Sequence, residues 1–192
     1  MKLFHNPHSR ATIAHWMLDE CGADYELVHV SIDDKEHKTA AFLAMNPAGK
    51  LPTLLVDDTP IYENVAICLY LADRYPEAGL APAIDDPQRG RYLALSVFTT
   101  SQLEPAMVDA LIQREHSTAA GWNALPTVIE GLTQELGDGP WLLGDRFSTA
   151  DLLIGASLAW YLRFGGKLPD ALTDFVARAT ARPAAAAIRT TS

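Results

Sequence analysis

The sequence predicts an α/β domain followed by an all-α domain. Short strand-like and helix-like stretches alternate over the first 75 residues, and strand signals vanish beyond residue 87. Between the two regions runs a segment rich in proline, glycine and aspartate. Strands mixed with short helices imply a small sheet with helices on its faces, whereas a purely helical continuation must bury its apolar stripes helix against helix. The expected division is a first domain over 1–76, a linker over 77–87 and a helical domain over 88–192.

Each element follows from a local pattern. Lys2 to His5 reads as a short strand. Ala11, Ala14, Met17, Leu18 and Cys21 recur at helical spacing, and Gly22 is placed to end that helix. Tyr25 to Val30 alternates polar and apolar as a half-buried strand does. Thr39 to Met45 is a short helix stopped by the breaker cluster Asn46-Pro47-Ala48-Gly49. Thr53 to Val56 and Ile61-Tyr62, separated by Asp57-Asp58-Thr59-Pro60, form an antiparallel hairpin. Val65, Ile67, Leu69, Leu71 and Ala72 then make a helix before Tyr75-Pro76, giving the order β-α-β-α-β-β-α. In the second region helices are expected over Pro87–Leu111, Ser117–Leu136, Ser148–Phe164 and Pro169–Ala181. Ser148-Thr149-Ala150-Asp151 fits a capping box, with Ser148 as N-cap and the Asp151 carboxylate three residues in.

Composition removes several function classes. Hydrophobic residues make up 48% and charged residues 20%, which excludes a disordered tail protein. The net charge is −9 and both halves are acidic, so neither nucleic acid nor an anionic membrane is expected as a partner. Two cysteines, Cys21 and Cys68, make neither a disulfide framework nor a four-thiolate zinc site. Cys68 reads as core, and Cys21 has no basic neighbour to mark a reactive thiolate. No metal is expected, since His5 and His8 lack a surrounding carboxylate or cysteine set. Met1 to His5 lacks the apolar stretch of a signal peptide, and the run Leu152 to Leu162 is too short to span a bilayer, so a cytoplasmic protein is expected.

Two longer motifs carry more. Asn46-Pro47-Ala48-Gly49-Lys50-Leu51-Pro52-Thr53-Leu54 and Tyr62-Glu63-Asn64-Val65-Ala66-Ile67 resemble the N-terminal motifs of the cytosolic glutathione S-transferases. Leu143 to Asp151 (Leu-Gly-Asp-Arg-Phe-Ser-Thr-Ala-Asp) is similar to that family's helical-domain capping motif, and Ala181-Arg182-Pro183 is also typical of it. The resemblance spans nearly the whole chain. It implies a thioredoxin-like domain that binds glutathione, followed by a helical bundle that carries the pocket for an electrophile, in a bacterial type with an active-site serine.

The same resemblance assigns a binding site. It implies a cis Leu51-Pro52 bond that turns the backbone of Leu51 outward to pair with the cysteinyl part of glutathione like an added strand. About 5–6% of X–Pro bonds in folded proteins are cis, so the motif and not the proline alone predicts this. Glu63-Asn64 stands where a strand turns into a helix; a helix N-terminus attracts the γ-glutamyl carboxylate, and Glu63 pairs with the α-ammonium. The family usually has serine where Asn64 stands, but asparagine also caps a helix and keeps a donor. Asn64 as a plain helix cap is compatible with this role. Lys50 is expected near the peptide's carboxylates and His37 or Lys38 at its glycyl end, against the alternative of solvated surface charge.

The chemistry rests on Asn6-Pro7-His8-Ser9-Arg10. A free thiol with a pKa near 8.5 is about 3% thiolate at pH 7, and lowering that pKa by two units takes roughly 2.7 kcal/mol of preferential anion stabilisation. A hydroxyl hydrogen bond to an anion supplies about 1.5–3 kcal/mol and a helix N-terminus roughly 0.3–1 more. One serine at a helix start is nearly enough. Ser9 matches the family's serine, with helix capping as its plain alternative, and Thr12 is a weaker substitute. Relatives that use cysteine have it one place later, where this chain has Arg10, which argues against disulfide exchange. Relatives with glutathione-dependent isomerase activity usually carry cysteine in this loop, and none is present. Some bacterial relatives carry a histidine near position 104, where Glu104 stands here. Tyr92, Phe98, Trp160, Tyr161 and Phe164 either line an electrophile pocket or fill the core.

The expected function is conjugation of glutathione, as co-substrate, to small hydrophobic electrophiles. Glutathione-dependent peroxide reduction, isomerisation, and a non-catalytic binding or scaffold role on the same fold are the alternatives. The family also implies a twofold homodimer, for which Tyr92, Leu95 and Phe98 offer apolar surface beyond one bundle face, against the alternative that all three are intrachain core; spacing does not divide them between the two.

Overall fold

Four strands and three helices build the first region of the computed structural model, which describes residues 1–190. The strands are β1 (Lys2–His5), β2 (Glu26–His29), β3 (Thr53–Val56) and β4 (Thr59–Tyr62). The helices between and after them are α1 (Ala11–Glu20), α2 (Ala40–Met45) and α3 (Asn64–Arg74). The sheet order is β2-β1-β3-β4, with β1 parallel to β2 and antiparallel to β3, and β3 antiparallel to β4. This is the expected β-α-β-α-β-β-α order in a mixed, thioredoxin-like sheet. Its core is made by Leu3 and Leu54 from the sheet, Met17 and Leu18 from α1, and Ile67, Cys68 and Leu71 from α3, all fully buried.

The hairpin is tighter than expected. Val56 pairs with Thr59, so the turn is Asp57-Asp58 alone, with φ of 45° and 65°. Two consecutive positive φ values make a type I′ turn, whose twist matches the flanking strands, and aspartate tolerates that region better than most residues. Thr59 and Pro60 therefore belong to β4, where the proline is tolerated because the strand lies at the sheet edge. At the opposite edge β2 is shorter than expected, and Leu27 stays 39% exposed.

The helices of the second region are α4 (Arg89–Phe98), α5 (Glu104–Leu111), α6 (Leu125–Leu136), α7 (Thr149–Arg163) and α8 (Asp170–Thr180). A π-helical turn over Thr99–Leu103 joins α4 to α5. Helix α7 is the centre of this unit: ten of its residues are buried, and it packs on α4 and α8. Gly155 permits the α7–α8 approach, because a Cβ there would meet the Ala179 Cβ at 3.0 Å. The capping box is present as expected. Asp151 accepts the Ser148 N–H (2.8 Å) and hydroxyl (2.6 Å), and it reaches outside the helix to accept the Leu142 N–H (2.8 Å).

Three expectations change here. The helix expected from Ser117 begins only at Leu125, because Pro126 has no N–H and is tolerated only in a first turn. A further helix, α9 (Pro183–Thr190), follows the tail of α8. It groups with residues 1–79 and packs on α1, whereas Leu80–Arg182 form the other compact unit. Tyr92 and Leu95 are intrachain core, at 0% and 6% exposure; the exposed apolar residues of α4 are Leu93 and Val97.

Candidate active site

Register gathers three loops at one end of the sheet. Phe4 pairs with Thr53, Thr53 with Tyr62, and His5 with His29. The last residues of β1, β2 and β4 thus lie beside the first residue of β3. The loop after β1 (Asn6–Arg10), the Leu51-Pro52 segment before β3 and the Glu63-Asn64 junction after β4 all leave from that end.

The first loop is a fixed turn. Ser9 donates its N–H (3.0 Å) and its hydroxyl (2.7 Å) to the Asn6 carbonyl, and its Oγ accepts the Ala11 N–H at 3.1 Å. The N-cap of α1 is Arg10 and not Ser9, yet the Ser9 oxygen still satisfies one of the N–H groups that a helix start leaves open. Thr12 donates its hydroxyl to the Ser9 carbonyl at 3.3 Å. Asn6, which no motif singles out within its loop, ties the turn to the sheet by donating Nδ2 to the Val30 carbonyl at 3.0 Å.

The Leu51-Pro52 bond is cis, as expected. The loop before it is held by Asn46, whose Nδ2 donates to the Lys50 carbonyl (3.0 Å) and the Thr53 hydroxyl (3.1 Å). Gly49 is needed in this loop: its φ is +57°, and a Cβ would lie 2.8 Å from the Lys38 Nζ and 2.9 Å from the His37 carbonyl oxygen. Lys38 and His37 therefore pack around Gly49, beside the exposed Lys50. The Lys38 ammonium donates to the carbonyls of Gly49 (2.7 Å) and Ala48 (3.3 Å).

At the third loop, Glu63 is the N-cap of α3 and Asn64 its first helical residue, one place on from the cap position considered above. Glu63 has φ 71°, a conformation uncommon for a residue with a Cβ, and its side chain is exposed. Asn64 donates Nδ2 to the Arg10 carbonyl at 3.0 Å, which joins this loop to the first. Its Oδ1 is buried and accepts no hydrogen bond.

Behind the first loop three imidazoles cluster, with the His5 ring centroid 5.8 Å from that of His15 and 6.3 Å from that of His29. Burial holds the His5 imidazole below its ordinary pKa, and the neighbouring His15 and His29 add to the effect. Burial does the same to His15, opposed by Asp19. The cysteines are inert: burial, then Glu20 and Glu77, push the Cys21 thiol up to about 12, and burial also raises that of Cys68. Among the described residues no three His, Cys, Asp or Glu side chains, these imidazoles included, are placed so that they could hold one metal ion.

In the helical unit the sequence candidates separate. Tyr92 and Tyr161 are core, Phe98 and Trp160 half-buried, and Phe164 is 60% exposed. Glu104 accepts the Ser157 hydroxyl at 2.9 Å just after the π-helical turn.

Comparison with known proteins decides the family. The glutathione S-transferase N-terminal domain model matches residues 1–73 and the C-terminal domain model residues 105–183. Glutathione S-transferase GST-4.5 of Xanthomonas campestris pv. campestris is 30% identical over 176 residues, 86% of this chain and 84% of that protein. The chain belongs to the glutathione S-transferase family. Maleylacetoacetate isomerase of Pseudomonas aeruginosa is 30% identical over 155 residues, 75% of this chain and 73% of that protein. Among solved structures, a sphingomonad glutathione S-transferase complexed with glutathione has a TM-score of 0.82 at 34% identity, covering all of this chain and 98% of that one. Of the residues expected in a glutathione S-transferase site, Ser9, Leu51, Pro52, Glu63 and Asn64 come together at the sheet end, with Lys50 on the loop before β3 and His37 and Lys38 on the 3-10 turn Glu36–Lys38 that packs around Gly49.

Proposed function

We propose that this chain binds glutathione at the end of the β1–β4 sheet and conjugates its thiolate to small hydrophobic electrophiles. The convergence of the three loops is the observation that carries this reading. The backbone of Leu51 before the cis proline suits pairing with the cysteinyl residue. The start of α3 suits the γ-glutamyl carboxylate, and Glu63 its ammonium. The unsatisfied Asn64 Oδ1 supports a polar ligand there, since a buried acceptor without a partner costs about 1–3 kcal/mol. Lys50, with His37 or Lys38, takes the glycyl carboxylate.

Ser9 donates its hydroxyl to the sulfur and is not a nucleophile itself. The thiolate attacks the electrophilic carbon; the S–C bond forms as the leaving group departs with its electron pair. In this reading residues 1–76, with α9 packed against α1, carry the glutathione site, 77–87 link, and the helices from α4 to α8 carry the electrophile. The protein works as a twofold homodimer in the cytoplasm, where glutathione stays reduced. Exposed Leu93 and Val97, one helical turn apart on α4, support the dimer.

Isomerisation is the second reading, favoured by the match to the Pseudomonas isomerase. A panel of halonitroarenes, epoxides, enals, hydroperoxides and maleylacetoacetate, each with glutathione, separates the readings. Conjugate formation with at least one of the first three is the expected outcome. Turnover of maleylacetoacetate alone would make the protein an isomerase, and glutathione binding without any turnover would make it a binding protein.

A further inference from the structure

We propose that Asn6 is the positioning residue for thiol activation, fixing the Ser9 hydroxyl from the buried side of the turn. The inference rests on the role of Ser9 proposed above and deepens it. Asn6 is only 7% exposed, and both ends of its amide are engaged. Nδ2 donates to the Val30 carbonyl (3.0 Å) just past β2 and lies 3.5 Å from the His29 Nε2; Oδ1 accepts the His8 N–H at 3.0 Å. The carbonyl of the same residue accepts both the N–H and the hydroxyl of Ser9. The side chain thus anchors the turn to the sheet, and the main chain of that anchored residue sets where the Ser9 oxygen sits.

The loop across the site is built the same way. In Asn46-Pro47-Ala48, Oδ1 accepts the Ala48 N–H at 3.1 Å while Nδ2 reaches to Lys50 and Thr53. Each Asn-Pro pair closes an Asx turn with its oxygen and leaves its nitrogen free to bond elsewhere. Two such turns, facing one sheet end, frame the place where sulfur must lie.

The chemical consequence follows from the hydroxyl's inventory of one proton and two lone pairs. Ala11 occupies one lone pair and the Asn6 carbonyl takes the proton. When the bound thiol loses its proton to solvent, the Ser9 proton must turn from the Asn6 carbonyl to the sulfur. With the oxygen held, this is a rotation about Cβ–Oγ that moves no heavy atom. A donor fixed in advance stabilises the anion without reorganisation, and releasing the turn forfeits that advantage.

A double-mutant cycle tests the proposal. The pKa of bound glutathione is read from thiolate absorbance against pH in the native protein, Asn6→Ala, Ser9→Ala and the double variant, with glutathione affinity measured by calorimetry on each. Ser9→Ala and Asn6→Ala should both raise the thiol pKa and lower kcat, with affinity changed by no more than about twofold. The double variant should match Ser9→Ala, because a residue that acts through Ser9 has nothing left to act on. An unmoved pKa in Asn6→Ala, while Ser9→Ala moves it, overturns the role of Asn6 and leaves Ser9 standing. Additive shifts in the double variant also overturn it, since Asn6 would then act independently of Ser9. An unmoved pKa in Ser9→Ala overturns both. If Asn6→Ala does not fold, Asn6→Asp carries the same cycle: it keeps the acceptor for His8 and loses the donor to Val30.

Discussion

At the scale of single residues, the site depends on where a few polar atoms are held. The exposed Glu63 carboxylate acquires its position from the backbone, which enters α3 through a positive φ. An ion-paired hydrogen bond is worth about 1.5–3 kcal/mol when shielded, and solvent reduces that for an exposed side chain. Glu63→Ala should therefore weaken glutathione binding by roughly 5–10-fold, equivalent to about 1–1.4 kcal/mol. Calorimetry checks this, and an unchanged affinity would return Glu63 to a purely structural place at the head of the helix. Lys38 is the contrary case. Its ammonium already bridges two carbonyls of the Asn46–Lys50 loop, so its position serves the shape of that loop whatever else it meets.

At the scale of elements, two packed features make separable predictions. Asp151 closes the N-terminus of α7 and also secures Leu142, so Asp151→Ala leaves two N–H groups without their acceptor in a buried setting. A loss of about 3 kcal/mol is expected, or a melting temperature lower by roughly 6–12 °C, which calorimetric melting measures. The histidine cluster around β1 and α1 makes stability pH-dependent. His5 and His15 have folded pKa values lowered from the ordinary 6.5, so between those values and 6.5 the unfolded chain binds more protons than the folded one. Stability is thus complete above about 6.5 and declines as the pH falls through 6.5 towards the folded values. Asp19, bonded to the Tyr25 hydroxyl and 3.9 Å from His15, opposes the effect only at His15. Urea midpoints at pH 7.5 and 5.5 should differ, and His5→Phe should reduce the difference. Equal midpoints in the native protein would mean that the imidazoles charge freely in place.

For the whole molecule, the expected assembly is a twofold dimer. Tyr92 and Leu95 belong to the core, so surface available to a second copy on α4 comes instead from Leu93 and Val97. Light scattering should give twice the 20.9 kDa chain mass, and Val97→Glu should shift it towards one chain mass. A native protein at one chain mass would reject the dimer and leave the loops around Ser9 untouched, since those belong to a single chain.

Local sequence patterns determined the strand and helix order of the first domain, the capping box at Ser148, the breaker cluster at Asn46 and, through family motifs, the cis bond at Pro52. These are local: a period, a cap or a turn is written in a handful of adjacent residues, and neighbouring peptide groups are enough to satisfy it. The helix expected from Ser117 starts late for a local reason too: apolar spacing is visible there, but the effect of Pro126 on the preceding turn decides the outcome. Tertiary structure decided what the loops do together. Asn6 reaches Val30 across 24 residues and Asn64 reaches Arg10 across 54, and no periodicity marks either pair. The choice of α1 as the surface on which α9 packs is of the same kind. Strand register brings the loops to one end of the sheet, long-range side-chain bonds to backbone lock them there, and both depend on partners that become neighbours only once the chain has folded.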